Sequence, residues 1–491
     1  MIENDPDSPR SAPGKVRSLL FSIVITVAVL FALNALVEWL EGRGVVDTTK
    51  PEDRIFFQDE PIYAVDGDQW VTTEYGLQHL VRSSFPVRKD EGWRLFVLGA
   101  SFAQGTPYDC CDHDGSNTFG GMASWLRVQL GHRYPNQRID VINSAAGGVS
   151  SHRVVKIIDV VSQLDADAIL VASCNNEGNL SPNTVSEQLH KLGGFRLLSR
   201  LLRPSPQQQD QTYFVPQHPD ADVIRKEYKA NLEAMVRITK ERGVPLLLAT
   251  LPVNLRYRGF EPGPVIDDDR YTSITGSCAT AVEFFHAGNL EAGLSHLTAC
   301  DSLPDIQPWI GLAHMRLGRF EEGHAALTKE WGGCLADGVA AYFQGRYEQA
   351  IDTLQGCENA AESLRWLGLA RFEQGDAEGA RTALEQATEL MPRNRCRPSY
   401  NALIREIAAS EDHVHLVDFQ EAARNGSPRG VPGPELFVDY CHMNWRGYGL
   451  MAERAVRTLE GTGLGPAGKA VDGFLDLDRV ARERGLRSLG Q

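Results

Sequence analysis

The sequence predicts an α/β protein in which a five-stranded parallel sheet lies between two helical layers, giving a three-layer α/β/α arrangement. It also predicts an all-α insertion and one N-terminal transmembrane helix. Short apolar runs alternate with helical periodicity, which is typical of parallel strands covered on both faces. Residues 276–395 instead repeat a helical pattern with regularly spaced glycines. An uncharged apolar segment near the N-terminus is long enough to cross a bilayer.

Composition excludes several classes of protein. Lys and Arg number 49 and Asp and Glu 64 in 491 residues, which gives a net charge of −15. With 42% hydrophobic and 23% charged residues, the chain is neither disordered nor fibrous. The acidic balance, without a long Lys/Arg run, argues against nucleic acid as a partner. The mean hydropathy of −0.26 excludes a polytopic membrane protein and is compatible with one anchor.

The predicted anchor is Leu19–Val37, which contains no charged residue. Arg10, Lys15 and Arg17 precede it, and Glu38 and Glu41 follow it. The positive-inside rule therefore predicts a cytoplasmic tail at 1–17, a transmembrane helix at 18–38 and an extracytoplasmic remainder. A cleaved signal peptide is the alternative, but its apolar core is usually shorter and ends at a small-residue site. We expect a single-pass protein of the inner or plasma membrane.

Residues 39–92 form a lead-in segment, in which we expect a hairpin at about Phe56–Val71. The nine cysteines are an odd number, so at least one has no partner within the chain. Their spacing does not match a zinc site, and we predict no bound metal.

The predicted sheet and its helices follow in order along the chain. The five strands are Arg94–Leu98, Ile139–Ile142, Ala168–Ala172, Leu246–Thr250 and His415–Asp418. The helices between them are a stripe from Phe119 to Leu130 ended by Gly131 and Pro135, a stripe from Val154 to Leu164 with Ser150 or Ser151 as N-cap, and Val223–Arg242 closed by Gly243. A polar stretch, Arg203–Gln217, predicts a loop.

The insertion at 276–395 contains repeated units. Gly288, Gly318, Gly345 and Gly375 recur at spacings of 30, 27 and 30 residues, each before a second amphipathic helix. The last unit, from Leu367 to Pro392, resembles a tetratricopeptide repeat. Such stacked helix pairs usually present a concave surface, which predicts a partner or substrate on the repeats. A helical insertion without a ligand is the alternative.

Residues that can carry chemistry follow four of the strands. Ser101 follows the first strand, on a turn that would expose its hydroxyl and leave its N–H as a donor. Gly147 and Gly148 follow the second strand, where a backbone N–H can face an oxyanion. Asn176 follows the third strand and offers a side-chain amide. Beyond the fifth strand, Asp439 precedes His442 by three residues, so the carboxylate can reach the imidazole Nδ1.

In this order the four pieces resemble the SGNH/GDSL hydrolase superfamily, over roughly 93–260 and 396–460. The resemblance implies these roles: Ser101 as nucleophile, Gly148 (or Gly147) and Asn176 as oxyanion donors, His442 as base and Asp439 as its orienting acid. It implies no cofactor. The chain departs from the family pattern at Ala100, Cys174 and Glu177, which stand where aspartate, glycine and aspartate are usual. The predicted organisation is hydrolase domain at 93–275, tetratricopeptide-like repeats at 276–395, hydrolase domain again at 396–465 and a tail at 466–491.

The implied function is a membrane-anchored serine esterase that cleaves an O-acyl substrate through an acyl-enzyme. Two alternatives remain. One is an O-acyltransferase or deacetylase acting on envelope polysaccharide, and the other is a non-catalytic repeat scaffold with a vestigial hydrolase fold. The expected partners are an ester or acylated glycan, the membrane, and a protein on the repeats.

Two further hypotheses concern the surroundings of the site. Asn254 and Arg256 follow the fourth strand, where they would line a substrate pocket or form an ordinary polar loop. Cys174 and Cys441 each flank a candidate site residue, and a disulfide between them would brace the site.

Overall fold

The computed structural model describes residues 13–43, 45, 61–73, 76, 80–109, 119–178, 192–202, 221–258, 280–281, 284–285, 287–297, 307–358, 360–390 and 395–486. These form two compact units, a smaller one from 1–60 and 182–210 and a larger one from 61–181 and 211–491. The predicted loop at Arg203–Gln217 lies outside the described residues.

The residues that the structure describes include eight strands: β1 Tyr63–Asp66, β2 Gln69–Thr72, β3 Ser84–Pro86, β4 Trp93–Gly99, β5 Ile139–Asn143, β6 Ala168–Ala172, β7 Leu246–Thr250 and β8 Val414–Asp418. The helices are α1 Pro13–Gly42, α2 Ser101–Gln104, α3 Met122–Arg133, α4 Ser151–Val161, α5 Gly193–Leu202, α6 Ala221–Arg242, α7 Leu290–Leu297, α8 Gln307–Arg316, α9 Phe320–Phe343, α10 Tyr347–Leu354, α11 Ala360–Gln374, α12 Ala377–Leu390, α13 Pro398–Ser410, α14 Phe419–Asn425, α15 Trp445–Gly461 and α16 Leu477–Glu483. A 3₁₀ turn covers Pro428–Gly430.

The described part of the smaller unit contains the helices α1 and α5. The Gly194 N–H donates a hydrogen bond to Asn34 Oδ1 at 3.0 Å, which joins the start of α5 to α1. The segment predicted as the anchor, 18–38, lies within α1. Among the residues that the structure describes, no helix combines the length and the apolar character needed to cross a membrane.

The larger unit contains the predicted five-stranded parallel sheet, in the order β5-β4-β6-β7-β8. Each predicted strand is present to within one residue at either end. Strands β4, β6 and β7 are buried along their whole length, which explains why they are almost entirely apolar. The charged exception is Arg94 in β4, whose buried guanidinium donates to the Leu164 and Pro86 carbonyls and pairs with Asp140. A separate antiparallel sheet, β1-β2-β3, precedes it. Its first two strands form a hairpin at Tyr63–Thr72, which overlaps the expected position of about Phe56–Val71, of which 56–60 lie outside the described residues.

The helices form two layers on the sheet. Helix α3 packs against α15, whereas α4 packs against α6 and α6 against α13. The chain moves one way along the sheet from β4 to β5 and the opposite way from β5 to β6, β7 and β8. Because the crossovers between parallel strands are right-handed, α3 lies on one face of the sheet and α4, α6 and α13 lie on the other. Some helix ends differ from prediction. Helix α4 ends at Val161 instead of reaching Leu164, and α3 begins at Met122 instead of Phe119 and continues through Gly131 to Arg133. Gly131 is exposed, and a Cβ on it would meet no atom within 4 Å, so close packing does not require glycine there. The helix ends at Arg133, two residues before Pro135.

The insertion folds as stacked helices, α8 on α9 and onward in sequence to α12. All four repeat glycines have a left-handed φ between 74° and 98°. After each glycine, the next N–H bonds to the carbonyl five residues earlier, as in the pairs Arg319–His314 and Asp376–Arg371. This is the hydrogen-bond pattern that ends a helix at a glycine. A second set of glycines lies between helices: a Cβ at Gly311, Gly338 or Gly368 would come within 2.6 Å of a leucine carbon on the next helix.

Candidate active site

Gly99 permits the turn that presents Ser101. This glycine ends β4 with φ +147°, and a Cβ on it would lie 2.1 Å from the Ala172 carbonyl oxygen of the neighbouring strand. Only glycine allows this approach. Ser101 then begins the short helix α2 at the carboxyl edge of the sheet and remains partly exposed. Ligands of parallel α/β sheets bind at this edge.

The segment from Asp439 to His442 forms a tight turn beyond β8. The Val438 N–H donates to the His442 carbonyl at 3.0 Å. Inside the turn, Asp439 Oδ1 accepts the N–H groups of Cys441 at 2.8 Å and of His442 at 2.6 Å. The carboxylate is thereby held by backbone donors, with its other oxygen directed at the imidazole.

Ser101, His442 and Asp439 form one continuous hydrogen-bonded chain. His442 Nε2 lies 2.7 Å from Ser101 Oγ, and His442 Nδ1 lies 2.6 Å from Asp439 Oδ2. The Asp439 and His442 side chains are each 2% exposed. Burial is the largest single effect and opposes the imidazolium charge, but the Asp439 carboxylate and Cys441 together outweigh it and hold the pKa of His442 well above its ordinary value. This arrangement can deprotonate the serine hydroxyl and stabilise the imidazolium that results.

The structure also brings Asn176 to the turn that contains Gly147 and Gly148. Asn176 is buried, and its Nδ2 donates to the Val149 carbonyl at 3.2 Å. Gly147 and Gly148 are exposed, and Gly148 has a left-handed φ of +71°. Val149 directly follows Gly148, so the two predicted oxyanion donors come from adjoining segments.

A buried network that sequence reasoning did not find joins these two segments. Glu177 accepts hydrogen bonds from the Ser151 N–H at 2.9 Å and the Ser151 hydroxyl at 2.6 Å, and Asn231 Nδ2 donates to Ser151 Oγ at 2.9 Å. Burial raises the pKa of Glu177 to about 7, against the effect of the Ser151 hydrogen bonds. The available signal was the departure at Glu177 itself, which directly follows Asn176.

Asn254 and Arg256 contact the segment that carries Asp439 and His442. Asn254 is 4% exposed, and its Nδ2 donates to the Asp439 carbonyl at 2.9 Å. Arg256 Nε donates to the Val431 carbonyl at 3.0 Å, and its guanidinium pairs with Glu435. The burial of Asn254 makes it a support of the turn rather than part of an open pocket wall.

The expected disulfide between Cys174 and Cys441 is wrong, because Cys174 has a different partner. Cys174 bonds to Cys396, with 4.9 Å between the Cα atoms, while Cys441 is a buried thiol 3.7 Å from His442 Nδ1. The Cys396 N–H also donates to Asn175 Oδ1 at 2.9 Å. The bridge therefore fastens the Asn176 segment to the point where the chain returns from the repeats. A second disulfide joins Cys334 to Cys357 within the repeats.

Asp439, Cys441 and His442 place potential metal-ligating atoms within 4.8 Å of one another. A metal ion there would have to replace the hydrogen bond between His442 Nδ1 and Asp439 Oδ2. The donor set is therefore better suited to proton transfer than to metal binding.

Comparison with known proteins adds little to this geometry. No family model matches the chain, and no curated protein matches it. Among solved structures, it is similar to the crystal structure of LAE5, an alpha/beta hydrolase enzyme from the metagenome of Lake Arreo, Spain. The similarity has a TM-score of 0.33 and 13% identity, and it covers 77% of this chain and 97% of the other. A TM-score this low does not establish a shared fold.

Proposed function

We propose that the protein is a serine esterase of the SGNH type that cleaves an O-acyl ester through an acyl-enzyme on Ser101. The observation that carries the proposal is the hydrogen-bonded chain from Ser101 Oγ through His442 to Asp439, at 2.7 and 2.6 Å. Ser101 is 341 residues before His442 in the sequence, so the fold of the larger unit brings the serine to the Asp439–His442 turn. A hydroxyl, an imidazole and a carboxylate so aligned form the arrangement that activates a nucleophile.

In this mechanism Ser101 Oγ attacks the ester carbonyl carbon while His442 Nε2 takes the hydroxyl proton. Asp439 holds the proton on Nδ1 and stabilises the imidazolium. The tetrahedral oxyanion is stabilised by the N–H groups of Ser101 and Gly148 and by the Asn176 amide. His442 then protonates the leaving alcohol oxygen as the C–O bond breaks. Water, deprotonated by His442, releases the acid and restores Ser101. Loss of one oxyanion donor costs about 10²–10³-fold in turnover.

We propose further that the enzyme works outside the cytoplasm and is anchored by residues 18–38. The disulfides Cys174–Cys396 and Cys334–Cys357 support an oxidising compartment. Phe21, Leu30 and Phe31 on α1 are exposed apolar side chains, which supports a lipid contact. The stacked helices at 307–390 support tetratricopeptide-like repeats that bind a partner or the substrate.

A fluorophosphonate probe tests the activated serine. The full chain in detergent is labelled and digested, and the modified residue is identified by mass spectrometry. We expect labelling at Ser101 that is lost in Ser101→Ala and His442→Ala and kept in Ser295→Ala, which removes an exposed serine of the repeats. A folded wild-type protein that is not labelled would refute the proposal. Product analysis on an acetylated glycan, with and without an acceptor sugar, then separates hydrolysis from acyl transfer.

A further inference from the structure

Helix α11 of the repeats contacts the segment that follows β7. Arg365 on α11 is only 3% exposed, and it donates hydrogen bonds from Nε and Nη2 to the Tyr257 carbonyl at 3.0 and 2.5 Å. Its guanidinium also lies 5.8 Å from the centre of the Tyr257 ring, and Glu362 pairs with it at 3.5 Å. Removing a guanidinium from water costs free energy, and the hydrogen bonds to the Tyr257 carbonyl and the pair with Glu362 offset that cost.

Tyr257 in turn contacts the turn that carries the candidate acid and base. Its ring lies 6.1 Å from the ring of Tyr440, at an interplanar angle of 62°. Tyr440 directly follows Asp439 and is fully buried. Tyr257, Tyr440 and Cys441 form a small buried cluster of their own, distinct from the main core.

Asn254 completes the connection through the backbone. The Tyr257 N–H donates to the Asn254 carbonyl at 3.3 Å, so the two residues belong to one turn. From that turn, the Asn254 N–H donates to the Tyr440 carbonyl at 3.0 Å and its Nδ2 to the Asp439 carbonyl at 2.9 Å. Two carbonyl groups of the Asp439–His442 turn, those of Asp439 and Tyr440, therefore accept hydrogen bonds from Asn254. Asn254 belongs to the same turn as Tyr257, whose carbonyl accepts the hydrogen bonds from Arg365.

We propose that Arg365 is a positioning residue for the reaction, and that α11 of the repeats completes the active site by holding the Asp439–His442 turn in place. The proposal rests on the esterase function proposed above. It makes the repeats part of the catalytic unit, whether or not they also bind a partner. Displacement of catalytic groups by about 1 Å costs up to about 100-fold in rate. If the Asp439–His442 turn lost this support, we would therefore expect kcat to fall while KM changed little.

The test compares Arg365→Lys and Arg365→Met with a control on the same helix, Arg371→Met. Arg371 bonds within the repeats, to the Gly379 carbonyl at 3.4 Å and to Asp376 at 3.9 Å. Kinetics on p-nitrophenyl acetate should show kcat about 10- to 100-fold lower in Arg365→Met, with KM changed by less than about twofold. Arg365→Lys should recover part of the loss, because an ammonium group can donate one of the two hydrogen bonds. Arg371→Met should match wild type.

A proton NMR resonance gives a readout that does not depend on catalysis. The Nδ1 proton between His442 and Asp439 is identified by its loss in His442→Gln. It should shift or broaden in both Arg365 variants and remain unchanged in Arg371→Met. Wild-type kcat and an unchanged resonance in folded Arg365→Lys and Arg365→Met would overturn the positioning role. A wild-type protein that shows the resonance but hydrolyses no ester would instead refute the esterase, while the resonance still tests the positioning.

Discussion

Asp439→Asn is a sharp test of the proposed acid–base chain, because the structure determines which way the new amide must point. Asp439 Oδ1 accepts two backbone N–H groups, those of Cys441 and His442, at 2.8 and 2.6 Å. An asparagine keeps both bonds only with its carbonyl oxygen in that position. Its Nδ2 then faces His442 Nδ1, where the wild-type protein has an acceptor.

Two donors cannot face each other, so the imidazole must change its tautomer. The proton moves from Nδ1 to Nε2, and Nε2 then donates to Ser101 Oγ instead of accepting its proton. The side chain still fits, so the fold and substrate binding should be kept. We expect kcat to fall by about 10⁴-fold, equivalent to about 5.5 kcal/mol of transition-state stabilisation.

The assay is steady-state hydrolysis of p-nitrophenyl acetate, with melting temperature as the check on folding. Asp478→Asn is the matched control, because Asp478 is a half-exposed acid whose pair with Arg446 lies on the surface at 3.4 Å. A loss of kcat below about tenfold in folded Asp439→Asn would show that the carboxylate does not set the tautomer of His442.

Three further outcomes follow from the same geometry. Because the pKa of His442 is raised, kcat/KM should increase with pH, with a midpoint well above 6.5 in a pH–rate profile. The pKa of Glu177 is raised from 4.5 to about 7, so the folded protein favours the protonated carboxyl. This contribution to the free energy of unfolding is fully present below about pH 4.5 and is lost as the pH rises through about 7. The loss, about 3 kcal/mol in urea unfolding, should be absent in Glu177→Gln; equal pH profiles would contradict this. Gly99→Ala should destabilise the fold by about 3 kcal/mol or more, since its Cβ meets the Ala172 carbonyl oxygen at 2.1 Å; a wild-type melting temperature would speak against it.

The parallel sheet was predictable because its strands carry a local signal. Strands such as β4 and β6 are buried on both faces, so nearly every residue in them must be apolar. The repeat glycines were equally visible, because a left-handed φ after a helix strongly favours glycine. Each of these features depends on a residue and its near neighbours in sequence.

Disulfide pairing shows where this reasoning stops. Cys174 and Cys441 both flank site residues, yet Cys174 pairs with Cys396, 222 residues away in sequence. Proximity to the site along the chain says nothing about the Cα separation and side-chain directions that a disulfide requires. The Glu177–Ser151–Asn231 network was missed for the same reason. Glu177 departs from the family pattern, but nothing in the local sequence shows that it meets Ser151 and, through it, Asn231.

The sequence alone was enough to predict the five parallel strands, the helices between the first four of them, the turn glycines of the repeated units and the residue types from which a triad can be built. Those properties follow from local periodicity, turn chemistry and the need of each strand to bury its side chains. The tertiary structure alone decided that Ser101 and His442 approach to 2.7 Å, and that Arg365 of the repeats holds the turn beside Asp439. Such contacts depend on the relative placement of segments hundreds of residues apart, which packing of the whole larger unit sets and no short stretch of sequence encodes.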